Sequence, residues 1–133
     1  MSQAISAFYA ATVELGIQDK VTTFTMSDFG RTLQPAGTGV NVVGTDHAWG
    51  NHQLIVGGSV LGHTLYGMYP TLRLGGPDDT DGGSNPRGRW IPTTSVEQYA
   101  ATLATWYGLS SVDLTAVFPL IGRFATPNLG FMA

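Results

Sequence analysis

The chain has 133 residues, six basic and nine acidic side chains, and a net charge of −3. Charged residues make up 11%, under half of the roughly 25% usual for a soluble domain, and the 18 glycines are about twice the usual share. Cysteine is absent, which excludes disulfide scaffolds, thiolate zinc sites, iron–sulfur clusters and cysteine nucleophiles.

The opening segment is predicted to be a helix. Ser2 is a suitable N-cap, Ile5, Phe8, Thr12 and Leu15 recur with a helical period, and Gly16 stands where a left-handed residue ends a helix. After a short link through Asp19 and Lys20, the β-branched and aromatic run from Val21 to Met26 is predicted to be a strand. Helix, tight link and strand form half of an α/β unit, which favours a parallel sheet flanked by helices.

From Ser27 to Asn51 the sequence is glycine-rich and irregular, and a connection that long inside a compact domain usually has a function. Two short strands, Gln53 to Val56 and Ser59 to Tyr66, are expected on either side of a Gly57-Gly58 turn. A second irregular stretch, 67–92, carries Pro70, Pro77, Pro86 and Pro92. Ser95 with Gln98 forms a capping box, Thr94 with Glu97 offers the alternative register, and Val96, Tyr99, Leu103 and Trp106 make an apolar stripe that ends at Gly108. Ser110 with Asp113 fits the start of a short helix carrying Leu114, Val117 and Phe118, which Pro119 stops. The aromatic-spotted tail is expected to pack on the body. No repeat or linker interrupts the chain, so 1–133 is expected to be a single domain, and Ile, Leu, Val and Phe, about a quarter of it, suffice for a core.

Charge and hydropathy exclude further classes. Positive charge is limited to Lys20 and five scattered arginines, which leaves no electrostatic footprint for nucleic acid or anionic lipid. No apolar run approaches the roughly 20 residues of a membrane span, and no basic lead marks a signal peptide ahead of Lys20.

The candidate chemistry is sparse. Asp28 follows the predicted strand by two residues, where α/β sheets place ligands, and a carboxylate there can hold a metal or position a base; its bland alternative is a turn aspartate or an Asp28–Arg31 ion pair. Asp46-His47, with His52 nearby, supplies ligand types for zinc, manganese or iron. Asp46 and His47 serve one site only from a loop, because neighbours in a strand point to opposite faces. His63 is expected at the surface or packed. Asp78, Asp79 and Asp81 fail the calcium-loop spacing, with Gly83 at position five and Trp90 at position twelve, so a solvated loop is expected there. Arg87 and Arg89 would suit an anion clamp. No P-loop, dinucleotide fingerprint or nucleophile elbow is present.

Three groups of residues carry a family resemblance: Phe24-Thr25-Met26-Ser27-Asp28-Phe29-Gly30-Arg31-Thr32, then Gly44-Thr45-Asp46-His47-Ala48-Trp49-Gly50, then Gly57-Gly58, Gly62 and Tyr66-Gly67. The chain resembles the C-terminal part of family 1501 of the domains of unknown function, a bacterial, sulfatase-like family of the alkaline phosphatase superfamily. Gly76-Pro77-Asp78-Asp79 and the stretch from Gly88 to Ala100 resemble a subgroup of it, so the likeness covers nearly the whole chain.

The resemblance implies an α/β fold, a partial three-layer alkaline-phosphatase-like sheet flanked by helices with long glycine-rich loops, forming the C-terminal portion of a larger domain. It implies a divalent metal (zinc, manganese or calcium) held by Asp28 and His47. Arg31, Asp46 and His52 would orient those ligands or touch substrate. Phe29 departs from the superfamily, which often has a histidine directly after the acidic residue. The superfamily's nucleophile and first metal ligands lie N-terminal to the matched region. The expectation is therefore a phosphate- or sulfate-ester hydrolase relative that is inactive by itself. The alternative is a non-catalytic module that self-associates, or pairs with a missing N-terminal half, through an exposed sheet edge. Members of the family are often exported to the periplasm.

Overall fold

The fold, described over all 133 residues by a computed structural model, is α/β with three α-helices and two small antiparallel sheets. Helix α1 spans Ser2–Glu14, and Gly16 beyond it adopts φ 68° as expected. Ser2 is not its cap: the helix begins at Ser2, Met1 takes the cap position, and no side chain bonds the free amides. Nor is the predicted stripe buried. Thr12 is inside, donating its hydroxyl to the Tyr9 carbonyl at 2.7 Å, but Phe8 and Leu15 are 51% and 71% exposed.

The strands are β1 (Thr22–Phe24), β2 (Gly30–Arg31), β3 (His47–Ala48) and β4 (Ile55–Gly57). β1 pairs with β4, with Thr23 opposite Val56, and β2 pairs with β3, with Arg31 opposite His47; both pairs are antiparallel. This corrects the expected parallel sheet. A parallel pair needs a crossover, usually helical, and the connection from β1 to β4 instead forms its own ribbon and returns in the opposite direction. The strand expected over Ser59 to Tyr66 shrinks to one bridge, Val60 with Met132, because its partner is the chain's own tail.

Helix α2 is Val96–Tyr107 and α3 is Ser111–Val117. The capping box of α2 is complete: the Glu97 and Gln98 amides donate to Ser95 Oγ, and Gln98 Oε1 accepts from the Ser95 amide. Gly108 closes the helix at φ 109°. Ser110 Oγ accepts from the Asp113 amide and starts α3 as predicted.

The chain divides into two compact units. Unit 1 comprises Met1–Thr25, Gln53–Tyr66 and Thr94–Ala133. Its apolar interior is Tyr99, Ala101, Ile121 and Phe131. The Tyr99 ring meets Phe24 edge-on at 6.1 Å and Phe131 at 5.7 Å. The buried face of α2 shares only Tyr99 with the predicted stripe: Gln98, Tyr99, Ala101 and Thr102 are buried, Leu103 and Trp106 are half-buried, and Val96 is 56% exposed. Two of the four buried residues are polar and spend their groups on the tail. Gln98 Nε2 donates to the Thr126 carbonyl at 2.7 Å, and Thr102 Oγ1 accepts from the Leu129 amide at 2.9 Å.

Burial pushes the Tyr99 hydroxyl up to about 12, and it donates to the Thr25 carbonyl at 3.0 Å. An unfolded tyrosine titrates near pH 10. The contribution of Tyr99 is therefore complete below about pH 10 and is lost as pH rises through about 12. Urea midpoints should fall over that interval, and the gap between wild type and Tyr99→Phe should narrow across it; a gap that stays constant would refute the assignment.

Unit 2 comprises Met26–His52 and Gly67–Thr93. Thr32, 3% exposed, donates its amide to the Asp46 carbonyl at 3.0 Å and accepts the Asp46 amide at Oγ1 at 3.1 Å. The next two amides, Leu33 and Gln34, donate to the carbonyls of Gly88 and Arg87. Gly88 is required there. It sits at φ 74°, and a Cβ on it would lie 2.6 Å from both Leu33 Cβ and the Trp90 ring, closer than any real contact allows.

Candidate functional site

All five candidate residues fall in unit 2. β2 and β3 position them because Gly30 lets the backbones approach: a Cβ at Gly30 would run into the Gly50 carbonyl. Directly opposite residues of an antiparallel pair share a face, so Arg31 and His47 stand side by side. The Phe29 ring lies 4.4 Å from the His47 ring, and the Arg31 guanidinium sits 5.7 Å from the centre of the Phe29 ring. Arg31 also donates to the Thr45 carbonyl at 2.8 Å. Its charge meets a carbonyl and a ring rather than a carboxylate. His47 and Arg31 are both exposed.

Asp28 lies in the bend before β2 and is exposed. It forms no Asp28–Arg31 ion pair; the ion pairs are Arg87 with Asp46 at 2.5 Å and Arg89 with Asp81 at 2.8 Å. Asp46 is thus committed to an arginine, and neither Arg87 nor Arg89 is a free anion clamp. His52 stacks on Tyr69 with ring centres 4.7 Å apart. His63 is exposed and holds φ 62°. No three His, Asp or Glu side chains lie where they could share a metal ion.

Two residues are more important here than their sequence context suggested. Phe29, which stands where the superfamily often has a histidine, is the ring that joins Arg31 to His47. Asp79 is buried within a loop whose other residues are mostly exposed. It is 8% exposed, and its carboxylate accepts the amides of Gly75, Asp81, Gly88 and Arg89 at 3.0–3.2 Å. Burial raises its pKa, and the four amides more than offset that, leaving the carboxyl below its ordinary value of 3.8. A readable signal was the glycine at 88, since a carboxylate collects amides where the backbone turns tightly.

The family model described as a protein of unknown function (DUF1501) matches residues 1–80. That span holds Asp28, Arg31, Asp46, His47 and His52 and stops before Arg87 and α2. No curated protein matches the chain, and no solved structure does.

Proposed function

Because the chain belongs to the DUF1501 family of proteins of unknown function, we propose that it forms part of a metal-assisted phosphate- or sulfate-ester hydrolase of the sulfatase-like, alkaline-phosphatase-related type. In this reading Asp28 and His47 are two ligands of a divalent cation, and Arg31, with no carboxylate to cancel its charge, faces the anionic ester. The three-layer sheet of that superfamily is part of the same proposal. The observation that carries it is the β2–β3 ribbon, where the pairing of Arg31 with His47 sets a cation next to an imidazole, both exposed.

The residues present do not complete a resident metal centre. A catalytic zinc has three protein ligands, and no three acidic or imidazole side chains here are grouped so as to hold one ion. No catalytic step is therefore assigned to this chain alone. Asp46 is a positioning residue: its pair with Arg87 and its two backbone bonds to Thr32 fix the segment that presents His47.

The test has two readouts. Aryl phosphate and aryl sulfate esters with added zinc, manganese or calcium should show no turnover above the metal-only blank. Calorimetric titration with zinc or manganese should show binding that disappears in both Asp28→Ala and His47→Ala. Turnover lost in those same variants would overturn the predicted inactivity. Cation binding indifferent to both would overturn the ligand assignment.

A further inference from the structure

A different part of the chain, the outer edge of β1, has the geometry of a docking site. In an antiparallel ladder, hydrogen-bonded pairs alternate with pairs whose N–H and C=O groups point away from the partner strand. The Thr25 amide donates to the Leu54 carbonyl at 2.9 Å, which makes Thr25–Leu54 a bonded pair. The register then makes Thr23–Val56 bonded, and Phe24–Ile55 and Thr22–Gly57 not. The N–H and C=O of Thr22 and Phe24 accordingly face outward, and the sheet has no third strand to receive them. The opposite edge is less open, because the Gly57 carbonyl already accepts the Val60 amide.

Sheets normally guard a free edge with a charge, a proline or a bulge. The residues from Val21 to Thr25 carry neither charge nor proline, the one-to-one register contains no bulge, and Phe24 is 45% exposed. We propose that this edge pairs antiparallel with the same edge of a second copy of the chain, Phe24 opposite Phe24. Two features select a second copy. The edge is self-complementary: about a two-fold axis, the Phe24 N–H and C=O bond the C=O and N–H of their counterpart, and the two rings become a cross-strand aromatic pair. It is also uncharged, so the symmetry forces no like charges together. The edge is short, and the dimer is correspondingly weak, with a Kd on the order of 0.1–1 mM.

Sedimentation from about 10 μM to about 1 mM brackets such an affinity. The mass should rise from 14.1 kDa towards twice that value. Phe24→Lys places a charge on the axis and should raise the Kd at least about tenfold. Thr22→Pro removes an outward amide and should do the same. The Thr22 amide takes no part in the β1–β4 ladder, and Val21 already holds φ −125° and ψ 124°, a conformation accepted before proline. Amide exchange at Phe24 in the wild type, slower at high concentration than at low, is a readout that needs no variant. A mass fixed at 14.1 kDa, a dimer that neither variant weakens, or Phe24 exchange independent of concentration would each overturn the proposal. No metal or ester enters the experiment, so its outcome is separate from that of the hydrolase reading.

Discussion

Phe131→Ala is expected to destabilise unit 1 by about 3–5 kcal/mol, the range for emptying a fully buried phenylalanine site. Phe131 is 1% exposed, and its ring packs between Tyr99 and Tyr66, each with ring centres 5.7 Å away. It stands third from the end of the chain, where a residue would ordinarily be frayed. The tail is instead stitched down. The Phe131 carbonyl accepts the Leu61 amide at 2.9 Å, Met132 bridges to Val60, and the Ala133 amide donates to Ser59 at 2.8 Å. The other buried apolar side chains are Tyr99, Ala101 and Ile121, too few to close over a vacated ring. Set against a typical total of about 5–15 kcal/mol, the loss should lower the thermal midpoint by roughly 10–20 °C. Phe131→Leu retains most of the volume and should cost under about 1.5 kcal/mol. Equal effects of the two substitutions, or an alanine variant that melts with the wild type, would show that packing of this ring does not hold the unit together.

Both ends of α2 and the start of α3 were legible because caps are local chemistry; the start of α1 was not, since no side chain caps it. Ser95 with Gln98, Gly108, and Ser110 with Asp113 each act on amides or carbonyls within four residues. The inward face of α2 was legible only at Tyr99, since hydrophobic periodicity counts apolar residues and this face also buries Gln98 and Thr102. Those two are inside because the irregular segment 126–129 needs a donor at one carbonyl and an acceptor at one amide, a demand that lies 27 and 28 residues away. Strand direction failed for a related reason. The run from Val21 to Met26 shows a strand, but whether its partner comes back parallel or antiparallel depends on a connection that has no strong pattern of its own.

The site shows the same division. Asp28 and Asp46-His47 stand out as residue types, and both are in one unit, yet spacing does not reveal that Asp46 belongs to Arg87 or that Phe29 packs beside His47. Side-chain pairing across 41 positions, as between Asp46 and Arg87, leaves no periodic trace. The organiser of that pairing is Asp79, whose sequence surroundings point only to a loop. Asp79 holds the amides of Gly88 and Arg89, the two residues after Arg87, so the carboxylate fixes the backbone from which Arg87 reaches Asp46.

Asp79→Asn should therefore loosen unit 2 as a whole. A carboxylate offers two acceptor oxygens to the four amides; an asparagine keeps one and turns its NH₂ donors towards the amides that had bonded the other. Buried amides left without an acceptor are costly, and the thermal midpoint is expected to fall by roughly 5–10 °C at pH 7. Asp79→Ala removes both oxygens and should fall at least as far. Arg87 and Arg89 report the change directly. Each is bound in an ion pair and half-buried in the wild type, and in either variant trypsin should cleave after them at least about tenfold faster as the segment opens. The pH dependence separates this role from simple side-chain loss. The native carboxyl titrates below its ordinary value of 3.8, so its stabilisation is complete well above that pH and is lost as pH falls through the lower native value. The difference in midpoint between wild type and Asp79→Asn should consequently be widest near neutrality and close towards pH 2. A difference that keeps its size over that range would mean that the charge of Asp79 does not organise the loop, and unchanged trypsin cleavage would mean that the carboxylate does not hold Arg87 in place.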